Sequence, residues 1–109
     1  MGLPFIVTVL YPNDEDANFK LDYYLKTHMP LVLDRWQKYG LQKWEVIKIG
    51  PGPDGSASQY NIQANLSFRD PDAFKSCMES QEKDEVLGDI PNFSNKQPLF
   101  VTGTMQAHS

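Results

Sequence analysis

The chain is poor in the residues from which most metal and redox centres are built. Its single cysteine, Cys77, among 109 residues cannot close an intramolecular disulfide and cannot by itself assemble a zinc site. It gives no support to an oxidising compartment and reads as a small apolar filler of a helix. No CxxC, HExxH or GxSxG occurs, which removes the chemistries those spacings position. The glycine-rich loop "GPGPDG" (Gly50 to Gly55) contains two prolines that lack the amides a phosphate cradle needs, and no Lys-Ser/Thr follows it. Basic charge is also scarce. Ten Lys and Arg stand against 14 Asp and Glu, a net charge of -4, and no window gathers the basic residues, so nucleic acid is a poor partner. The third predicted strand also lacks the basic-glycine-aromatic pattern of RNA recognition motifs. No run approaches the roughly 20 apolar residues of a membrane span. The opening "MGLPFIVTVLY" has neither a basic leader nor a small-residue cleavage site, and Ile6 stands where an N-myristoylation pattern wants Ser or Thr. The expectation is a cytoplasmic protein with no membrane partner.

What is present reads as one α+β domain over residues 1–109. "PFIVTVLYP" (Pro4 to Pro12) is a β-branched and aromatic strand. Phe5, Val7, Val9 and Tyr11 alternate with Ile6, Thr8 and Leu10, so both faces are apolar and both demand cover. "NDEDAN" (Asn13 to Asn18) is a turn with helix-start chemistry. From Phe19 to Tyr39, Leu21, Tyr24, Leu25, Met29, Val32, Trp36 and Tyr39 recur at helical spacing, with Gly40 as the stop. "LQKWEVIKIG" (Leu41 to Gly50) is a second strand. "QYNIQANLSF" (Gln59 to Phe68) is a third, with Tyr60, Ile62, Ala64, Leu66 and Phe68 on one face and Asn61, Gln63, Asn65 and Ser67 on the other. Asp70 caps a second helix that has Pro71 at its first position and restarts near Gln81. "LFVTGTM" (Leu99 to Met105) is the last strand, and residues 106–109 form a disordered tail. The order βαββαβ is the ferredoxin-like arrangement, an antiparallel four-stranded sheet with helices on one face. A second copy of the chain is the economical cover for the other face.

One stretch combines chemistry with strain. In "YYLKTHMP" (Tyr23 to Pro30), His28 falls on the apolar stripe of the first helix, four positions after Tyr24, a spacing at which side chains meet. A charged imidazole is costly there, so His28 is either neutral and hydrogen-bonded or faces a polar cavity. Pro30 removes a helical amide and crowds the preceding turn, which predicts a break or kink near Thr27 to Met29. From spacing alone His28 is either a satisfied core histidine or a proton-transfer site. Tyr23 and Trp36 read as packing or as binding residues. Asn61, Gln63 and Asn65 either line the cavity or sit at a dimer interface. His108, in the tail, has no assigned role.

"VTVLYP", "FKLDYYLKTHMPLV" (Phe19 to Val32), "GLQKWEVIKI" and "IPNFSNKQPLF" (Ile90 to Phe100) together resemble the EthD family of the dimeric α+β barrel superfamily. The resemblance implies a protomer whose sheet packs on that of a second protomer, with a cleft between sheet and helices in each. It maps the family's motif histidine onto His28 and its aromatic pair onto Tyr23 and Tyr24. Relatives include cofactor-free decarboxylases, cyclases, dehydratases and monooxygenases, and also haem proteins, but this chain has no residue besides His28 to ligate haem. The reading that results is a cofactor-independent homodimer, of oxidoreductase or lyase type, acting by proton transfer on a small aromatic, phenolic or enolisable compound. His28 and Tyr24 are its candidate catalytic pair, and Tyr23, Trp36, Asn61 and Asn65 its candidate binding residues. The alternative is a non-catalytic protein that binds a small hydrophobic molecule in the same cleft.

Overall fold

The alternation in the first strand decides which way the sheet faces. In β1 (Phe5–Pro12) Val7, Val9 and Tyr11 are buried while Ile6, Thr8 and Leu10 are only partly covered. The computed structural model describes residues 2–109. The sheet order is β2-β3-β1-β4, with β2 (Leu41–Lys48), β3 (Tyr60–Phe68) and β4 (Leu99–Thr104). All three pairings are antiparallel, which is the ferredoxin-like topology that the element order predicts. Val9 stands opposite Ala64 on one side and Phe100 on the other, so these three share a face. Ile62, Ala64, Leu66 and Phe68 are buried on that face, as the strict alternation of β3 requires.

The helices α1 (Leu21–Tyr23), α2 (Met29–Trp36), α3 (Pro71–Met78) and α4 (Glu82–Gly88) supply the other half of the core. Met29, Val32, Trp36, Ala73, Cys77 and Val86 join the buried strand residues in one apolar cluster. Asp70 caps α3 by accepting the Ala73 amide at 2.8 Å, as expected. Residues 13–18 do not start a helix as their carboxylates suggested. Phe19 instead bridges to Ser94, and the Lys20 amide bonds the Phe93 carbonyl at 2.8 Å. The chain is thereby held extended until Leu21, and Asp14 and Asp16 turn outward to Lys96.

Pro30 does not break the first helix. A π-helical turn, Tyr24–His28, absorbs it, and the Met29 amide bonds back to Tyr24 O across the wider ring. Proline cannot donate the usual bond, and a wide turn of this kind accommodates the missing link while keeping the helix continuous. The extra residue rotates everything before it. His28 and Met29 both become buried, whereas Leu25, expected on the apolar stripe, is 38% exposed. After α2 a short 3-10 turn, Gln37–Tyr39, ends at Gly40.

The face of the sheet away from the helices is not covered by this chain. Ile47, Leu99 and Val101 on that face are 45%, 46% and 50% exposed. Phe100, on the helix side of the edge strand β4, is also half exposed. Gln106 to Ser109 lie outside any element and are exposed. Among the described residues no helix is long and apolar enough to cross a membrane.

Gly40 has φ +117°, and a Cβ built there would sit 2.5 Å from Ala73 Cβ. Gly40→Ala combines left-handed strain with a backbone-enforced clash, and it should lower unfolding stability by about 2–3 kcal/mol. At Gly88 an added Cβ meets nothing within 4 Å, so Gly88→Ala should leave stability within about 0.5 kcal/mol. Urea unfolding of the two variants checks the contrast.

Candidate functional site

The π turn delivers His28 to the inside of the molecule, where it meets a residue 61 positions away. His28 Nδ1 lies 2.9 Å from Asp89 Oδ2. Asp89 stands at the C-cap of α4 and opens the short 3-10 turn Ile90–Asn92. Its other oxygen, Oδ1, accepts the Tyr23 hydroxyl at 2.6 Å and Asn92 Nδ2 at 2.8 Å. The carboxylate thus receives three hydrogen bonds, from two segments of chain, in a position where its side chain is only 12% exposed.

Aromatic rings fix the imidazole's plane. His28 stacks on Tyr24 with centroids 5.4 Å apart at 14° and packs against Phe93 at 4.4 Å. Phe93, fully buried, also touches Tyr11, Phe19, Tyr23 and Tyr24. Such pairs combine large apolar burial with geometric preference, so the ring has few alternatives to the position it holds.

The electrostatics assign the protons. Burial lowers the His28 pKa below its ordinary 6.5, and the Asp89 carboxylate opposes this without reversing it. For Asp89, burial pushes the pKa up, but the hydrogen bonds from Tyr23, Asn92 and His28 prevail and hold it below the ordinary carboxylate value. At neutral pH Asp89 is therefore ionised and His28 is neutral. An ionised carboxylate only accepts, so Nδ1 carries the proton and donates to Oδ2. The lone pair is left on Nε2. A carboxylate that fixes the imidazole tautomer in this way raises its competence as a base.

His28 borders a cavity of about 30 Å³ between the helices and the sheet. A site needs about 10–15 Å³ on this measure to hold a water molecule, so the cavity accommodates one or two. Val9, Ala64 and Leu66 form its floor, with Met29, Val32, Trp36 and Val86 opposite. Phe100 stands at its edge. Tyr11 and Tyr24 also line it, and burial raises both phenol pKa values, so both hydroxyls are neutral. Among the described residues no group of three or more His, Cys, Asp or Glu is placed to hold a metal ion.

The structure brings His28, Tyr24 and Trp36 together around this cavity, and Tyr23 reaches the site through Asp89. Asn61 and Asn65 do not line it. Asn65 accepts from Thr8 Oγ1 at 3.1 Å and Gln63 Nε2 at 3.0 Å, on the uncovered face of the sheet. Asn61 accepts from Lys48 Nζ at 3.2 Å. Sequence reasoning missed Asp89 and Phe93, because both lie in "GDIPNF", a segment with loop chemistry and no periodicity. Pro91 inside a short turn was the available local signal, but nothing local points to a partner 61 residues upstream.

The EthD domain family matches residues 14–97. An EthD-like protein from Ralstonia eutropha JMP134 aligns with TM-score 0.87 and 24% identity over 100% of this chain and 97% of that one. An ethyl tert-butyl ether D (EthD) family protein from Bacillus halodurans C-125 gives TM-score 0.73 and 23% identity, covering 95% and 100%. A dimeric ferredoxin-like protein of unknown function from Thermobifida fusca YX gives TM-score 0.61 at 11% identity, covering 96% and 93%. No curated protein matches the chain. The family match spans most of the chain, including the segment that carries His28 and the turn that carries Asp89, and the chain belongs to the EthD domain family.

Proposed function

We propose that this protein is a homodimeric, cofactor-independent cytoplasmic enzyme that moves a proton on a small aromatic, phenolic or enolisable compound bound beside His28. The observation that carries the reading is the Asp89–His28 hydrogen bond. A donating Nδ1–H leaves the basic lone pair on Nε2 of a ring that lines an apolar cavity, and a neutral imidazole there would take a proton from an acidic carbon or phenol. Asp89 then stabilises the imidazolium that forms, and Tyr23 and Asn92 keep Asp89 ionised. Tyr24 holds the imidazole plane by stacking. The proton returns from Nε2 to the carbanion or enolate it left, as in an isomerisation, or is delivered to the carbanion left by loss of carbon dioxide or by ring closure, as in a decarboxylase or cyclase. A cofactor-free monooxygenase of this kind would in addition take dioxygen as its oxidant.

Ligands larger than the resting cavity enter by displacing Phe100, which is half exposed at its edge. Dimerisation through the uncovered sheet face accounts for its exposed apolar residues, and it agrees with the dimeric state of neighbours of the same fold. The small, apolar cavity also favours a second reading, a protein that sequesters a hydrophobic molecule without transforming it.

Small ketones, 1,3-dicarbonyls and phenols in D2O, monitored for solvent deuterium incorporation, separate the two readings. A substrate found this way should lose about a hundredfold or more in rate with His28→Gln, and binding without any exchange by the wild type favours sequestration. Asp89→Asn should lower the rate by a similar order, because the carboxylate no longer selects the tautomer. The rate of the wild type should fall on acidification through a pKa below 6.5 and be flat above it, since only neutral His28 accepts a proton. In Asp89→Asn that inflection should move to still lower pH, because the group that opposed the effect of burial is gone. Val101→Glu, at a residue half exposed in the protomer, should leave the fold intact and convert the dimer to a monomer in light-scattering chromatography.

A further inference from the structure

Trp36 lines the same cavity and carries an unexplained donor. Its side chain is buried, with 3% of the residue exposed, and it lines the cavity with His28. Its Nε1 is a buried side-chain nitrogen with no hydrogen-bond partner among the described residues. An indole N–H only donates, and a buried polar group without a partner is uncommon because it forfeits its hydration. Tyr11, Tyr24 and His28 are the other polar side chains in a wall otherwise built of Val, Met, Ala, Leu, Ile and Phe. Trp36 lies eight residues after His28 along the helix, a rise of about 12 Å.

We infer that Trp36 determines specificity: its Nε1–H donates to an acceptor oxygen on the end of the ligand remote from the atom presented to His28. The pocket therefore selects small apolar compounds that carry a carbonyl or ether oxygen at their buried end, and it discriminates against hydrocarbons of the same shape. Trp36 can only give a hydrogen bond, and neutral His28 offers a lone pair at Nε2. A ligand that satisfies both must present an oxygen to one and an acidic hydrogen to the other. This inference rests on the His28 cavity being the ligand site, as proposed above, but it does not require that a proton be transferred.

The chain has two tryptophans, so a 15N-labelled sample gives two indole N–H resonances, assigned by comparison with Trp36→Phe. Titration with cyclohexanone and, separately, with methylenecyclohexane tests the inference. The ketone should shift the Trp36 Nε1–H signal downfield with saturation and bind about fivefold to tenfold more tightly than the alkene. The alkene should produce no downfield shift. Trp36→Phe should retain alkene binding and lose the preference for the ketone. Equal affinities with equal shifts, or a Trp36 signal that responds to neither probe because a bound water alone satisfies the donor, would overturn the inference. The native-protein titration is decisive even where Trp36→Phe fails to fold. His28→Gln should keep the Trp36 response. A shift at Trp36 without deuterium exchange in any ligand then counts against proton transfer alone, and exchange with a silent Trp36 counts against this inference alone.

Discussion

The hydrogen bond between His28 Nδ1 and Asp89 Oδ2 joins the first helical segment to the turn that follows α4. The same two segments are also joined by the Tyr23–Asp89 hydrogen bond and the Lys20–Phe93 backbone bond. Burial alone would leave the imidazole neutral but free to choose its tautomer. The carboxylate removes that freedom, and it can do so only while ionised. Three donors hold it in that state against the cost of burial. Tyr23, Asn92, Asp89 and His28 therefore act as one unit, in which each member fixes the protonation of the next.

Placing this unit requires two local devices. The first is the π turn Tyr24–His28, which accommodates Pro30 and rotates the histidine inward at the cost of exposing Leu25. Wide turns of this type are rare because they sacrifice regular bonding, and they often occur beside functional groups. The second is Phe93, around which Tyr11, Phe19, Tyr23, Tyr24 and His28 assemble. Phe93 follows Asp89 by four residues, so the same turn that presents the carboxylate also delivers the ring that clamps the imidazole. A short bridge between Phe19 and Ser94 holds this turn against the start of the first helix.

Much of this architecture was legible in the sequence because it depends on short-range periodicity. The alternation in β3, the Asp70 cap, the Gly40 stop and the apolar face of α2 all involve neighbours within a few positions, and the element order then leaves few topologies. His28 was singled out for the same reason: a histidine on an apolar stripe beside a helix-interior proline conflicts with local rules. Its partner was not legible. Asp89 belongs to an aperiodic segment, and its meeting with His28 depends on how α4 docks on α2. The π turn was foreseen only as a break or kink, since sequence reveals that Pro30 cannot continue the bonding but not which wider ring replaces it. The error at Leu25 follows from that, because one inserted residue shifts helical phase by about 100 degrees.

The account depends on which ring nitrogen of His28 carries the proton. Long-range 1H–15N correlation spectroscopy of the histidine rings at pH 7 measures this directly, with His28→Gln identifying the signal. The account predicts a neutral ring with Nδ1 protonated and Nε2 in the lone-pair chemical-shift range. A ring protonated on Nε2, or a fully charged imidazolium at that pH, would contradict it.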